Sequence, residues 1–568
     1  MRHTLLLLLL FSCSHRVNII SPPKGKSRAQ YEASTKGYMI TTQGEATSKA
    51  TEEIFLKGGN IIDAFVAASF AISVERPQST GIGGGGFLLF YNQKDKRVYA
   101  FDFRERAPYL AHKKMFLTSF GEGQPLLSQE GALSIATPGL VWGLHEIHKK
   151  YGSLPWRETI APAIKLAREG FPLYEHLQKA IQDRSHLLKS DPEASKIFLT
   201  ADGKTPRLGT LIIQENLAKT LEVISIEGKK GFYSGKIADL MIKTVRSKRG
   251  ILSHKDLRDY KMVERVPVSS SYKGLKIFSM PPPSSGGIHI IQILKMLEPY
   301  QLKKLGPQTA ASVNLIANSM QRAFQDRALY LGDPDFNPIP VDDLLDEKRL
   351  LEISKTISSN AIRAESLKAV KLPYESSETT HFSLADKEGN LIASTQTING
   401  WFGSGVIAQG TGIILNNEMD DFAQKVGALN LFGAVGGEKN LVQALKRPLS
   451  SMSPTIILKN DQPMMALGSP SGTRIISCVV QTILNSVEFE MPLYEAVTAT
   501  RIHQQWQPDQ LKIESPFLSA NVEKELSSKG HNIVHGNLGC SIQAIKRVDD
   551  YWVGVSDPRS EGLALGQK

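Results

Sequence analysis

Hydrophobic and polar positions change period several times along this chain, and each change marks an element. Ile61 to Ser73 is apolar and alanine-rich, the pattern of a buried helix. Phe87-Leu88-Leu89-Phe90-Tyr91 and Val98-Tyr99-Ala100-Phe101-Asp102-Phe103 read as a hairpin over a turn at Lys94-Asp95-Lys96. From about Pro155 to Tyr260 the spacing is mostly helical, and it is helical again from Gln308 to Leu331. Residues 340–378 are charged and weakly patterned, and they end in the polar run Glu375-Ser376-Ser377-Glu378, which reads as exposed and mobile. Next, Thr380-His381-Phe382-Ser383-Leu384-Ala385-Asp386 alternates as a strand. A polar turn follows, and Leu391 to Thr397 forms the returning strand. Strands dominate from there on, with helices expected near Ile475–Glu488 and Val522–Lys529. No internal repeat is visible. Pattern alone supports a mixed α and β protein and nothing finer.

Composition narrows the classes. A 568-residue chain with 41% hydrophobic and 22% charged residues fits a soluble globular protein. The net charge of +11 is scattered, and its densest runs, Gly228-Lys229-Lys230-Gly231 and Arg246-Ser247-Lys248-Arg249-Gly250, read as solvated turns without interleaved aromatics. No nucleic-acid partner is expected. Met1-Arg2-His3 followed by the apolar run Leu5–Phe11 reads as a secretion signal over residues 1–13, too short to span a bilayer. Leu10-Phe11-Ser12-Cys13 leaves two readings open, a lipoprotein-type site with Cys13 as the anchor or a plain signal peptide. Residues 14–37 read as a tether. Of the other two cysteines, Cys478 sits in the apolar run Ile475–Val480 and reads as an ordinary buried thiol, although Cys540 is available to pair with it.

Candidate chemistry centres on Glu378-Thr379-Thr380 at the mouth of the alternating strand. A threonine hydroxyl is a weak nucleophile unless a base adjoins it. Cleavage before Thr379 would supply one, because the freed α-amine has a pKa of about 7.7–8.0. On the local sequence alone, a Thr-Thr pair is more simply explained by β-propensity.

The wider pattern favours the chemistry. Asn60-Ile61-Ile62-Asp63-Ala64, Ser79-Thr80-Gly81-Ile82-Gly83-Gly84-Gly85-Gly86-Phe87, Asp102-Phe103-Arg104-Glu105 and Thr137-Pro138-Gly139 occur in that order. Then come Ala167-Arg168-Glu169-Gly170-Phe171, Pro281-Pro282-Pro283-Ser284-Ser285-Gly286-Gly287 and Thr379-Thr380-His381. Leu415-Asn416-Asn417-Glu418-Met419-Asp420-Asp421-Phe422, Arg447-Pro448-Leu449-Ser450-Ser451-Met452-Ser453-Pro454 and Ser556-Asp557-Pro558-Arg559 complete the series. Over about Tyr38 to Arg559 the chain thereby resembles the γ-glutamyltranspeptidase family of N-terminal-nucleophile hydrolases.

The resemblance implies an α+β fold, a four-layer α/β/β/α sandwich built jointly by two autoproteolytic subunits, 38–378 and 379–568. It implies γ-glutamyl transfer from glutathione-like donors to water, amino acids or dipeptides, outside the cytoplasm (periplasmic or secreted), with no metal or organic cofactor. Thr379 would be the nucleophile and Thr397 its support. Arg104 suits a donor's α-carboxylate because its planar fork binds in two places, and Ser450 and Ser451 would add hydroxyls. Asn399, Glu418 and Asp421 would accept from the ammonium, with Asp420 a weaker candidate that would point away if its segment were a strand. The backbone N–H groups of Ser471 and Gly472 would hold the oxyanion. The family pattern has Gly-Gly at that last pair, so a serine there restricts the backbone. Phe432, where tyrosine is common, keeps the lid's cover but loses a hydroxyl bridge, so a looser lid is expected.

Three further motifs are set aside. Gly81–Gly86 lacks the Gly-Lys-Ser/Thr ending of a phosphate loop and leads into a strand, so close backbone packing is expected there. His145 and His148 lack a third ligand and read as a solvated helix face. His381 is given a structural role. Two rival readings remain: a related amide hydrolase, such as a cephalosporin acylase or a poly-γ-glutamate-processing enzyme, and an inactive lipid-anchored scaffold of the same fold.

Overall fold

The computed structural model describes residues 17–357, 359–362 and 379–567. The signal segment, Cys13 and Glu378 lie outside the described residues.

Two seven-stranded sheets, antiparallel throughout, form the centre. The first runs Leu563–Gly566, Met39–Thr42, Thr380–Ala385, Leu391–Thr397, Gly85–Asn92, Arg97–Asp102, Val263–Arg265. The second runs Glu32–Thr35, Tyr551–Ser556, Gln543–Val548, Gln462–Gly468, Thr455–Lys459, Leu275–Ser279, Val268–Tyr272. Each sheet mixes strands from before residue 357 with strands from after residue 379, so both parts of the chain share one core.

Alternation decides what each face meets. Along Thr380–Ala385, Phe382 and Leu384 point to a helical layer, where Phe382 lies 6.0 Å from Phe65 of the helix Ile61–Glu75. His381 and Ser383 point to the other sheet, and Ser383 Oγ donates to Gln543 O at 3.0 Å. The strand is therefore buried on both faces, where its sequence alone required only one. Helices Gly286–Leu297 and Arg474–Val487 cover the outer face of the second sheet. The layers are α/β/β/α, as expected.

Local chemistry explains the boundaries. Asn60 caps the helix Ile61–Glu75 by accepting from Ile62 N and Asp63 N at 2.9 and 3.0 Å, and Asp63 accepts from Asn60 N in return. The glycine run ahead of the strand Gly85–Asn92 allows backbones to touch. A Cβ at Gly83 would sit 2.1 Å from Ile414 O, and one at Gly84 would sit 2.0 Å from Thr397 O.

Three expectations need correction. Residues 14–37 are not simply a tether: Arg28–Tyr31 is helical and Glu32–Thr35 pairs with Tyr551–Ser556 as an edge strand. A four-residue polar edge strand is too short to announce itself by alternation. Cys478 is not a free thiol but bonds Cys540, 62 residues away. Burial was legible at Cys478, whereas a partner brought in by tertiary packing was not. His148 does not face solvent, because it is buried and lies 3.1 Å from Asp63.

Near the chain end, Asp557 is fully buried and takes Arg501 Nη2 at 2.6 Å and Arg559 Nη1 at 3.1 Å. Burial alone would raise its pKa, but the Arg559 and Arg501 charges hold the carboxyl below its ordinary value. Asp557→Ala leaves two guanidiniums buried without it and is expected to cost about 3–5 kcal/mol in denaturant unfolding. The depressed folded pKa fixes the sign of the pH effect. The wild-type advantage is present above about pH 4 and disappears as pH falls through the folded pKa.

Candidate active site

The end of the β/β sandwich opens into a pocket whose empty space, its open mouth included, is about 320 Å³. Its walls come from distant parts of the chain, and each wall follows from a local feature.

Thr379 leads into the strand Thr380–Ala385, and Thr397 ends the antiparallel neighbour, so register brings them together. Thr379 Oγ1 donates to Thr397 Oγ1 at 3.3 Å, and Thr397 Oγ1 also accepts from Asn399 N at 2.9 Å. Thr379 is 5% exposed. His381 lies on the same face, but its Nδ1 pairs with Thr395 Oγ1 at 2.8 Å and its Nε2 with Ser383 Oγ at 3.1 Å. Burial lowers its pKa to about 3, which keeps the ring neutral and structural.

Arg104 follows the strand Arg97–Asp102 and is 1% exposed. Its Nη1 donates to Glu418 Oε1 at 2.5 Å, its Nη2 to Asp421 Oδ2 at 2.6 Å and Leu449 O at 3.4 Å, and its Nε to Pro448 O at 2.8 Å. Four of its five N–H groups are thus engaged by the protein itself. The fork expected to stand open for a carboxylate is already closed on two.

Glu418–Asp421 is a turn of 3₁₀ helix, not a strand. Asp420 still points away from the pocket, for this different reason. It accepts from Ser128 Oγ at 2.5 Å and Leu431 N at 2.8 Å, which ties the lid down. Burial pushes its pKa up to about 7. Behind Arg104 lies Glu105, fully buried with both carboxyl oxygens unpartnered. Burial and the nearby Glu418 charge raise the Glu105 pKa well above the ordinary carboxylate range. Glu418 is also pushed up, to about 7, by burial against the pull of Arg104.

Asn399 donates through Nδ2 to Asn417 O at 3.1 Å, and its side-chain oxygen is left as an acceptor. Ser450 and Ser451 are held by the triple-proline motif. Ser450 N donates to Pro283 O and Ser285 N to Ser450 O, each at 2.8 Å.

Gly472 lines the pocket ahead of the helix Arg474–Val487, at its positive end. The N–H groups of Ser471 and Gly472 donate to no protein acceptor among the described residues. A Cβ at Gly472 would meet the Phe432 ring at 2.4 Å, so lid and loop are in contact. The lid is held without a tyrosine hydroxyl: Asn430 Nδ2 donates to Asp421 Oδ1 at 2.8 Å, and Gln505 Nε2 donates to Gly433 O at 3.1 Å.

The pocket therefore gathers Arg104, Thr379, Thr397, Asn399, Glu418, Asp421, Phe432, Ser450, Ser451 and Gly472, all expected from sequence. Ser471 does not line it, because its side chain turns away to Leu538 O. Sequence reasoning missed Arg327 and Asn430. Asn430 begins the glycine-bearing segment 430–437 that carries the lid residue Phe432, while Arg327 sits where helical spacing places apolar residues.

A threonine heading a central strand of a four-layer α/β/β/α sandwich defines an N-terminal-nucleophile hydrolase fold. The family model described as gamma-glutamyltranspeptidase matches residues 47–567. The glutathione hydrolase proenzyme of Escherichia coli (strain K12) is 40% identical over 525 residues, covering 92% of this chain and 90% of that protein. Among solved structures, cephalosporin acylase from Bacillus halodurans superposes with a TM-score of 0.84 at 25% identity, covering 96% of this chain and 98% of that one. The gamma-glutamyltranspeptidase of Helicobacter pylori matches with a TM-score of 0.55 at 36% identity, covering 59% of this chain and 94% of that one. The chain belongs to the γ-glutamyltranspeptidase family.

Ser471 has φ +106°, a conformation that L-residues rarely adopt, and its Oγ donates to Leu538 O at 2.5 Å. Strain of this kind costs about 1–3 kcal/mol and one hydrogen bond returns about 1. Ser471→Ala keeps the strain and loses the bond, whereas Ser471→Gly loses both. Glycine is expected to be the more stable of the two variants by about 1–3 kcal/mol, measured as denaturation midpoints side by side.

Proposed function

We propose that the protein is a self-processing γ-glutamyltransferase and glutathione hydrolase. The observation that carries this reading is the Thr379–Thr397 hydroxyl pair in one pocket with Arg104, Glu418, Asp421, Ser450 and Ser451. Such a pocket suits a γ-glutamyl donor, whose α-amino acid end is a zwitterion. The acylase reading is less well served, because a bulky apolar acyl group would have to lie among two guanidiniums and two carboxyls. An inert scaffold would have no use for this arrangement.

In the precursor, the Thr379 hydroxyl attacks the carbonyl of Glu378. The peptide nitrogen leaves as the new α-amine, an ester forms, and water opens it. Thr379 has φ +122°, a region that β-branched residues rarely enter. The strain, about 1–3 kcal/mol, falls on the junction that cleavage releases. Strands from both pieces interleave in each sheet, which supports a lasting large-subunit–small-subunit heterodimer.

In the mature enzyme, the α-amine takes the Thr379 hydroxyl proton as the oxygen attacks the γ-carbonyl. The backbone N–H groups at Ser471 and Gly472, at a helix N-terminus, receive the oxyanion. The protonated amine then gives its proton to the departing amine and leaves a γ-glutamyl-threonine ester. Water, an amino acid or a dipeptide resolves it. Asn399, Glu418 and Asp421 accept from the donor's ammonium, while Ser450 and Ser451, with the one Nη1 hydrogen that Arg104 has left over, form the carboxylate side. The disulfide supports a location outside the reducing cytoplasm. No described helix is long and apolar enough to cross a membrane.

Processing is the first test. Wild-type protein on a denaturing gel is expected to yield a small band whose sequence begins Thr379-Thr380-His381, and Thr379→Ala to remain one chain. An intact wild type that still hydrolyses a γ-glutamyl anilide would be incompatible with the mechanism.

Titration of Glu418 gives a second test. Its raised pKa means that it gains a proton as pH falls through about 7, and a neutral carboxyl attracts the donor's ammonium less. KM for a γ-glutamyl anilide is expected to rise as pH drops through that value. Glu418→Gln removes the ionisation, so its KM should be flat across the same window even if higher overall. An unchanged KM slope in Glu418→Gln assigns the titration to another group.

A further inference from the structure

The disulfide Cys478–Cys540 joins two segments that both touch the loop 468–472. Cys478 belongs to the helix Arg474–Val487, which begins two residues after Gly472. Cys540 belongs to 536–542, a stretch without helix or strand between Ile533–His535 and Gln543–Val548. Both cysteines are buried.

The stretch meets the loop on either side of Cys540. Leu538 O accepts from Ser471 Oγ at 2.5 Å, and Ser541 N donates to Ser469 Oγ at 3.2 Å. Arg474 Nη1, at the start of the helix, donates to Leu538 O at 3.3 Å and to Ser471 Oγ at 3.4 Å. Stretch, loop and helix are thus laced together, with the S–S bond between the two loop contacts. Downstream, Cys540 O accepts from Arg501 Nη1 at 3.4 Å and Ile542 N donates to Asp557 Oδ2 at 3.1 Å. Upstream support is thinner. Gly536 N donates to Ile513 O at 3.1 Å, and Gly539 N turns back to Asn537 Oδ1 at 2.7 Å. The Leu538 carbonyl depends on its buried side chain and on the covalent bond two residues on.

The lacing holds a backbone against its own preference. Ser471 has φ +106°, which a glycine adopts freely and a serine does not. Its N–H and that of Gly472 donate to no protein acceptor among the described residues. We infer that the disulfide is a positioning device for this loop: it keeps Leu538 O where Ser471 needs it, and so keeps the Ser471 and Gly472 N–H groups aimed at the reacting carbonyl. Cys478 and Cys540 act through Leu538 and Ser471 and are positioning residues. The bond compensates for a serine where the family pattern has glycine. This rests on the γ-glutamyl reading above, in which those two N–H groups receive the oxyanion.

The test is a mutant cycle on processed enzyme with γ-glutamyl-4-nitroanilide. Cys478→Ala combined with Cys540→Ala is expected to lower kcat about ten- to a hundredfold, because a displaced oxyanion donor forfeits much of its effect. KM should move less than about twofold, because formation and breakdown of the ester both pass through an oxyanion. In the Ser471→Gly enzyme, whatever its own rate, the same cysteine replacements should cost less than about threefold, because glycine keeps the conformation without an anchor. Ser471→Ala with the disulfide intact cuts the link at its other end and should lose kcat to a similar degree. If the cysteine-free chain does not mature, the bond is opened after maturation instead. Processed wild type and processed Ser471→Gly are treated with tris(2-carboxyethyl)phosphine until alkylation shows Cys478 and Cys540 free, and the same contrast is expected. A cysteine-free or reduced enzyme that keeps wild-type kcat and loses only unfolding midpoint would overturn the inference and leave the bond a staple. Equal kcat losses in the wild-type and Ser471→Gly backgrounds would overturn it too. Processed wild type that does not cleave the anilide would instead overturn the γ-glutamyl reading, and this inference with it.

Discussion

A guanidinium that is 1% exposed cannot exist without acceptors, and Arg104 sets that constraint on the whole catalytic end of the molecule. Its charge requires the 3₁₀ turn Glu418–Asp421 and the carbonyls of Pro448 and Leu449 to converge on one point. Both segments lie more than 300 residues from Arg104 along the chain. Once they converge, Ser450 and Ser451 are fixed by chain continuity, and Asp421 is positioned to hold Asn430 and the lid. A lysine could carry the charge but could not span four acceptors in a plane. The same convergence explains Asp102, which accepts from Arg104 N at 3.0 Å and from Arg265 Nε at 2.8 Å. It anchors the backbone from which the guanidinium reaches.

Charge is concentrated at this end of the protein. Glu105, Glu418 and Asp421 surround Arg104, and burial with the Glu418 charge pushes the first of them well above the ordinary carboxylate range. Arg327 bonds no carboxylate among the described residues but feels the charge of Asp421. The pocket thus holds two guanidiniums and two carboxyls at close quarters. A zwitterion can answer both signs of charge at once, whereas an uncharged acyl group can answer neither. The low-dielectric walls make that distinction large, because unpaired charges there are poorly screened.

Much of this was legible in the chain. The hairpin 85–102, the strand pair 380–397 and the helices at Ile61, Ala310, Arg474 and Ala520 appear where period and burial pattern place them. The pocket collects ten residues readable from motifs, because short motifs with fixed side-chain chemistry survive translation into space. The remainder was hidden for physical reasons. Glu32–Thr35 owes its strand conformation to a neighbour more than 500 positions on, not to its own pattern. Cys478 reveals burial to a pattern reader but not its partner. The saturation of Arg104 depends on four acceptors from two separate segments. Arg327 was missed because Met320, Ala323, Phe324 and Ala328 make that helix face apolar. A lone arginine in such a stripe is the signal that could have found it.

The interleaving of the strands has a consequence for how such a molecule comes into being. Thr380–Ala385 lies between Met39–Thr42 and Leu391–Thr397, and Leu563–Gly566 flanks the outer side of Met39–Thr42. Neither piece could form its share of a sheet alone without leaving long apolar edges open to any passing strand. Assembly from separately made halves would therefore compete with aggregation at every step. The uncut polypeptide is the only practical folding unit, and the proposed cut would be an event in the life of an already finished structure. Opening one peptide bond there would alter the reactivity of a single atom and leave intact the topology that holds the fragments together. Dilution, which dissociates ordinary dimers, would have no comparable purchase on two pieces woven through the same pair of sheets.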